Sequence, residues 1–306
     1  MNADTTVEEV ISGEEFRDFG KYIFPRLSDD EKKIPLSHLT PLYPRCSCLN
    51  TVITLKVLSF MSERASRERI FYNLYTDAER KRDPDKTDAG LFYFRGLPGA
   101  PFAIISPGET TYGLTSLHES LPAAMLLNES GFHVFSLHYR SGNKGTACED
   151  LATAITFAFE HATHFCFDTE RYALWGSGTG ADIAAYLTSY GPHAFGGGHH
   201  PRPGLLVMQY TPHHNHTRQE PPTFACVGED DPLCDWQIMK HRIDALAECG
   251  IHTEFHKYPR IGHGFGLGIG SSAESWFHDA SVFWKRHLSP RTRRLLRRSV
   301  RVSHDS

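Results

Sequence analysis

Three short segments of this chain carry the residue types that acyl transfer uses. The first is Leu174-Trp175-Gly176-Ser177-Gly178-Thr179-Gly180-Ala181-Asp182, set between a strand-like run and a helical pattern. A nucleophile elbow needs that context: the chain turns sharply from strand to helix, and the residues two before and two after the tip must be small so that the backbones can approach. Gly176 and Gly180 meet the demand and put Gly178 at the tip, where a hydroxyl is expected. The second segment, Cys226-Val227-Gly228-Glu229-Asp230-Asp231-Pro232, ends a strand with carboxylates able to orient an imidazole. The third, Ile261-Gly262-His263-Gly264-Phe265-Gly266, follows the last strand and surrounds His263 with glycines that let backbone approach a ligand. Nucleophile position, acid and histidine occur in the chain order expected of such an elbow. A histidine oriented by a carboxylate takes the proton of a nucleophilic hydroxyl; here base and orienter are present and the hydroxyl is not.

A tetrahedral intermediate also needs backbone N–H donors. One is expected from the residue after the tip, Thr179. The other is expected from the loop Ile105-Ser106-Pro107-Gly108-Glu109-Thr110-Thr111-Tyr112, at Glu109, whose carboxylate must point away if it is not to oppose a developing oxyanion. Two neighbours of the tip offer a hydroxyl of their own. Ser177 would place Trp175 and Thr179 where small residues are required. Thr179 would have Ser177 and Ala181 as small flanks but would move the turn one residue into the helix.

These loops must be positioned by regular elements. From Ala100 onward short apolar runs alternate with helical patterns, the signature of βαβ units and a mostly parallel sheet. Strands are expected at Pro101–Ser106, His133–Tyr139, Tyr172–Trp175, Leu205–Tyr210, Thr223–Val227 and Thr253–Tyr258. Helices are expected at Leu117–Ser130, Cys148–Phe165, from the elbow through Tyr190, and at Trp236–Cys249 and Glu274–His287. The three motifs then fall at carboxyl ends of strands, where open α/β sheets bind ligands. Residues 1–90 differ in texture: turns at Pro25, Pro35, Pro41 and Pro44, a helix over Val52–Glu63, and β-rich runs at Ile70–Tyr75 and Leu91–Arg95 around the charged stretch Asp77–Lys86. They read as an N-terminal extension or cap with edge strands, followed by a core over 91–288 and a basic tail over 289–306.

Composition narrows the class. No apolar run reaches the roughly 18 residues needed to span a bilayer, and the acidic start lacks a secretory pattern. Seven cysteines, an odd number scattered along the chain, do not form a disulfide framework. A cytoplasmic protein with reduced thiols is expected. Cys46 and Cys48 have no second pair at zinc-ribbon spacing. The loop histidines His199, His200, His213, His214 and His216 have no carboxylate or thiolate at ligand spacing and read as solvated, so no metal site is expected. His133, His138, His161, His164, His252 and His256 read as structural, and Phe157, Phe159, Phe165 and Phe167 as packing of a helix on the sheet. The net charge is −4, yet the last eighteen residues hold six arginines, Arg291, Arg293, Arg294, Arg297, Arg298 and Arg301, against one aspartate. With Leu295, Leu296 and Val300 interleaved, the tail reads as a short amphipathic helix on its own acidic domain rather than a nucleic-acid site.

From Phe71 to His287 the sequence resembles bacterial α/β-hydrolases of the acetyl-esterase and dienelactone-hydrolase-like group. Their histidine loop, Gly-His-Gly-Phe-Gly-Leu-Gly, is matched fully by Gly262–Gly268. Their Gly-Glu-x-Asp acid loop is matched by Gly228–Asp231, which implies Asp231 as the acid. Their Trp-Gly-x-Ser-Ala-Gly elbow aligns without a gap, supported by Asp168-Thr169-Glu170-Arg171 and Ala184-Ala185, and puts Gly178 under the family serine. The resemblance implies a three-layer α/β/α fold around a mostly parallel sheet, hydrolysis of a small carboxylic ester or carbohydrate ester as the ancestral activity, and no cofactor. The departures sit in the site: Gly178 for the nucleophile, Thr179 for an alanine, and Glu109-Thr110-Thr111 for the glycines of the oxyanion loop. Three readings follow: a protein inactive or nearly so in ester hydrolysis, an active esterase using Ser177 or Thr179, and a non-catalytic binding protein that keeps the pocket. A homo-oligomer remains open; membrane and nucleic-acid partners are not expected.

Overall fold

A computed structural model describes the chain apart from Pro25 and residues 303–306, with the backbone alone over 298–302. The expected turn at Pro25 and the side chains of Arg298, Val300 and Arg301 lie outside the described residues. Ten strands are described: β1 Phe71–Asn73, β2 Gly90–Phe94, β3 Pro101–Ser106, β4 Glu109–Thr110, β5 Gly113–Leu114, β6 His133–His138, β7 Asp168–Ser177, β8 Leu205–Gln209, β9 Thr223–Gly228 and β10 Thr253–Tyr258. The α-helices are α1 Val7–Ser12, α2 Thr51–Ala65, α3 Asp77–Arg82, α4 Ser120–Glu129, α5 Lys144–Phe165, α6 Thr179–Tyr190, α7 Trp236–Glu248, α8 Trp276–His287 and α9 Pro290–Val302.

Eight strands form one sheet in the order β1-β2-β6-β3-β7-β8-β9-β10. The six from β6 to β10 are parallel, and β1 and β2 add an antiparallel edge. The central parallel strands are buried on both faces because helices cover both, whereas the edge strand β10 is only partly buried. β3, β8 and β9 are buried at every position. Phe102 stacks on Tyr172 at 4.9 Å and Phe165 lies 4.2 Å from Tyr93, centroid to centroid, so the phenylalanines at the end of α5 pack on the sheet as expected.

The order of strand addition reverses at β3, with β6 on one side and β7 on the other. That reversal opens a crevice at the carboxyl ends of β3 and β7, the topological switch point of an open α/β sheet. The N-terminal segment belongs to the same core: Val7, Phe16, Ile23, Leu42 and Tyr43 are buried with the sheet residues.

Local chemistry explains where the expected boundaries shift. α5 starts four residues early because Asn143 caps it, accepting from the N–H groups of Gly145 and Thr146. The charged stretch after β1 is helical because Thr76 and Glu79 form a capping box. The hairpin β4–β5 was not expected; it folds the loop expected to supply an oxyanion donor back on itself through Glu109–Leu114 and Thr110–Gly113 pairs.

Candidate active site

β7 ends at Ser177 and α6 begins at Thr179, so Gly178 alone makes the bend, at φ 51° and ψ −120°. Its flanking glycines are required by contact. A Cβ on Gly176 would lie 2.4 Å from the Gly180 carbonyl, and one on Gly180 would lie 2.1 Å from the Ser106 carbonyl oxygen. A Cβ on Gly178 would meet nothing closer than Gly108 Cα at 3.7 Å and His263 Nε2 at 3.9 Å. The tip therefore has room for a side chain, and an atom one bond beyond that Cβ comes within hydrogen-bond reach of the imidazole.

The imidazole is fixed from behind. His263 Nδ1 lies 2.8 Å from Asp231 Oδ2 and 3.1 Å from Oδ1. Asp231 Oδ1 also accepts from the N–H groups of Leu233 at 2.8 Å and Cys234 at 2.9 Å. With Nδ1–H given to the carboxylate, a neutral His263 presents its Nε2 lone pair toward Gly178. The N-terminal segment holds the histidine loop: Ser47 Oγ donates to the His263 carbonyl at 2.9 Å, and Ser47 N–H to the Gly264 carbonyl at 2.9 Å. His118 Nε2 lies 2.8 Å from the same Gly264 oxygen.

Opposite the dyad, the first helical bonds of α6 run from the N–H groups of Ala181 and Asp182 to the Gly178 carbonyl. The N–H of Thr179 therefore lies ahead of the helical ladder, among the orphan donors of a helix N-terminus. In the β4–β5 hairpin, Thr115 N–H bonds the Gly108 carbonyl at 3.0 Å. By antiparallel alternation, Glu109–Leu114 is then a non-hydrogen-bonded pair whose N–H turns away from the partner strand. Burial raises the Glu109 carboxyl, against smaller opposing contributions from the Gly142 backbone and the charge of Arg26.

Sequence reasoning missed the group that ties these parts together. Glu119, buried at the start of α4, accepts from Gly108 N–H at 2.6 Å, from Thr115 Oγ1, and from the Tyr210 hydroxyl at 2.6 Å. Burial, then the Glu119 charge, pushes the Tyr210 phenol well above its ordinary value. The Tyr210 ring packs edge-on against His263 at 4.9 Å. One side chain thus braces both the Gly108–Thr115 loop and the ring packed against His263. Its eleven-residue separation from Gly108 follows no periodic pattern that would have marked it.

These groups line a cavity of about 390 Å³ together with Pro44, Arg45, Cys46, Asp182 and Leu233. Burial alone would raise the Asp182 carboxyl, but hydrogen bonds from His213, Lys144 and Thr211 outweigh it and hold it at about 2. His213, expected to be solvated, is instead buried, with Nδ1 3.4 Å from Asp182; the ion-paired carboxylate gives it a partner that sequence spacing did not reveal. The hydroxyl of Ser177 is buried and donates to Gln209 Oε1 at 2.7 Å, while Thr179 lines the cavity. Burial raises the Cys46 thiol far above its ordinary range, which leaves it protonated and a poor nucleophile. Among the described residues no cluster of three or more His, Cys, Asp or Glu could hold a metal ion, and no helix is long and apolar enough to cross a membrane.

Residues 116–199, which include the elbow, match the BD-FAE family model. No curated protein matches the chain. Among solved structures it is similar to an acetyl ester-xyloside bifunctional hydrolase from Caldicellulosiruptor lactoaceticus, at 18% identity over 71% of this chain and 95% of that one, TM-score 0.59. A thermophilic esterase from the Planctomycetes species Thermogutta terrifontis aligns at 14% identity over 67% and 91%, TM-score 0.56. A sugar hydrolase from Lactococcus lactis aligns at 18% over 65% and 94%, TM-score 0.55. Likeness at such identities carries architecture rather than activity: this chain has the α/β-hydrolase fold, in the form shared by esterases and related hydrolases.

Proposed function

We propose that this chain keeps the ligand pocket of a carboxylic-ester hydrolase and lacks its covalent chemistry, because Gly178 stands where the nucleophile serine would stand. The observation that carries the reading is the 3.9 Å between a Cβ built on Gly178 and His263 Nε2, with Asp231 bound to the far side of the same ring. Thr179 and Glu109 are assigned as backbone donors to the ligand's carbonyl oxygen. The ligand is a small ester or carbohydrate ester, in keeping with the sugar hydrolase and acetyl ester-xyloside hydrolase among the structural neighbours. Residues 1–90 act as a cap, their Pro44–Cys46 segment forming one wall of the cavity. Ser177 is not the substitute nucleophile, since its hydroxyl is committed to Gln209. Thr179 begins the helix and would attack from beyond the tip of the bend.

Gly178→Ser tests this reading. The variant should gain hydrolysis of 4-nitrophenyl acetate, toward the roughly 10⁶-fold that separates serine hydrolases from their nucleophile deletions, and should become labelled by a serine-directed fluorophosphonate. It should also lose about 1–3 kcal/mol of stability, because a side chain at positive φ is strained. Equal hydrolysis by parent and variant would mean that the nucleophile position lies elsewhere.

A further inference from the structure

We propose that His263 activates a water molecule seated ahead of Gly178 Cα, so that the chain hydrolyses activated esters in one step, without an acyl-enzyme. This rests on the assignment of Gly178 to the nucleophile position and extends it from what is lost to what the remaining groups do. The space is defined by this chain: an added Cβ would have Gly108 Cα at 3.7 Å and His263 Nε2 at 3.9 Å as its nearest neighbours, within a cavity of about 390 Å³. Removing a CH₂OH group leaves room for about one water, and a water is held where several polar partners converge. Here the Nε2 lone pair accepts from the water, and the Thr179 N–H, free of the helical ladder, holds the water only until the ester carbonyl takes its place.

The base is ready for that role. Asp231 takes Nδ1–H and is itself fixed by the N–H groups of Leu233 and Cys234. Ser47 and His118 pin the peptide groups of residues 263 and 264. The ring therefore needs no reorganisation to accept a proton at Nε2. In the step, the water oxygen bonds to the ester carbonyl carbon while one of its protons passes to His263 Nε2. The carbonyl oxygen takes up negative charge facing the N–H groups of Thr179 and Glu109. The C–O bond to the leaving group then breaks, and the proton on Nε2 passes to the departing alkoxide. Acid and alcohol leave, and the imidazole is neutral again. No oxidant, metal or covalent adduct is required.

Rivals for the same weak activity are an attack by Ser177, Thr179 or Cys46, and polarisation of the carbonyl by the backbone donors alone. The test uses the full chain with 4-nitrophenyl acetate. The parent should turn over linearly from the first turnover, with no burst and no acyl adduct by intact-protein mass spectrometry. His263→Ala should cost on the order of 10²-fold, the range of a general base. Gly178→Ala, which fills the proposed water position with a methyl group, should cost at least about tenfold. A burst or acyl adduct in the parent overturns the proposal, as does a parent rate equal to buffer. So does a His263→Ala or folded Gly178→Ala variant that matches the parent. Should Gly178→Ala fail to fold, His263→Ala still decides, because it leaves the bend untouched. Gly178→Ser separates the two levels: if it gains nothing, the placement of the nucleophile position fails, whereas a large gain there with an unaffected Gly178→Ala defeats the water alone.

Discussion

Beyond the ends of β9 and β10, every polar atom that would orient a base is engaged: Asp231 accepts from two backbone N–H groups and from His263, and the histidine loop is pinned by Ser47 and His118. At the β7–α6 junction the backbone is shaped just as tightly, with glycines at 176 and 180 where a Cβ would overlap main-chain atoms, yet the tip carries no functional group. On the proposed assignment, the base half of the pocket keeps both geometry and chemistry, and the nucleophile half keeps only geometry. The difference shows which features the fold enforces. Replacing Gly176 or Gly180 would disrupt strand–helix packing, whereas position 178 faces open cavity and can change without cost to the core. Glycine there even removes the strain a side chain would bear at φ 51°.

The sharpest test of the base half is Asp231→Asn in the Gly178→Ser background. An asparagine oxygen can keep accepting from Leu233 and Cys234 N–H groups, which turns its NH₂ toward His263 Nδ1 and forces the tautomer with the proton on Nε2. The restored rate should fall by about 10⁴-fold while the fold is retained, as in other triads with this change. A double variant as fast as Gly178→Ser would show that the Asp231–His263 contact is structural, and the contrast between the halves would collapse.

Much of this arrangement is legible in the sequence. The Gly-x-Gly-x-Gly spacing located the bend because close strand–helix approach leaves no room for other residues. The glycine-flanked His263 and the Gly228–Asp231 loop were readable as local motifs. What escaped was set by contacts distant in sequence. Ser47 reaches His263 across 216 residues, Glu119 ties Gly108 to Tyr210, and Asp182 pairs with a buried loop histidine, His213, that local spacing places in solvent. Element starts shifted where a cap residue outside the apolar pattern decided them, as Asn143 does for α5.

The nucleophile half can be probed by stability alone, comparing two glycines of one bend. Gly180→Ala places a Cβ 2.1 Å from the Ser106 carbonyl oxygen and 2.3 Å from that of Pro107, so strand and helix must separate. Urea denaturation should show a loss of roughly 4 kcal/mol or more, in the range reserved for severe core disruption. Gly178→Ala meets only ordinary contacts and should lose about 1–3 kcal/mol, the cost of its positive φ. Equal losses would mean that position 178 is under the same packing constraint as its neighbours, and the contrast between the two halves would not rest on a free position at the tip.

Acid exposes a limit on comparing the halves by activity, and it originates at a different histidine. His133 is fully buried on β6; its Nδ1 accepts from Gly96 N–H and contacts the Tyr93 hydroxyl, while Nε2 faces the Leu97 carbonyl. Burial lowers its pKa from 6.5 to about 4, against the opposing Leu97 carbonyl. The folded chain therefore holds this ring neutral where the unfolded chain would already bind a proton. That contribution to stability is fully present above about pH 6.5, declines as pH falls through the window between 6.5 and 4, and levels off below it. Its size is on the order of 3 kcal/mol. Urea midpoints measured from pH 7 to pH 4 should fall accordingly, and a folded His133→Asn variant should flatten the slope. If the parent's slope persists in that variant, acid sensitivity arises elsewhere. If it disappears, activity lost above the unfolding transition can be assigned to the site itself, and the contrast between its two halves can be followed by rate alone.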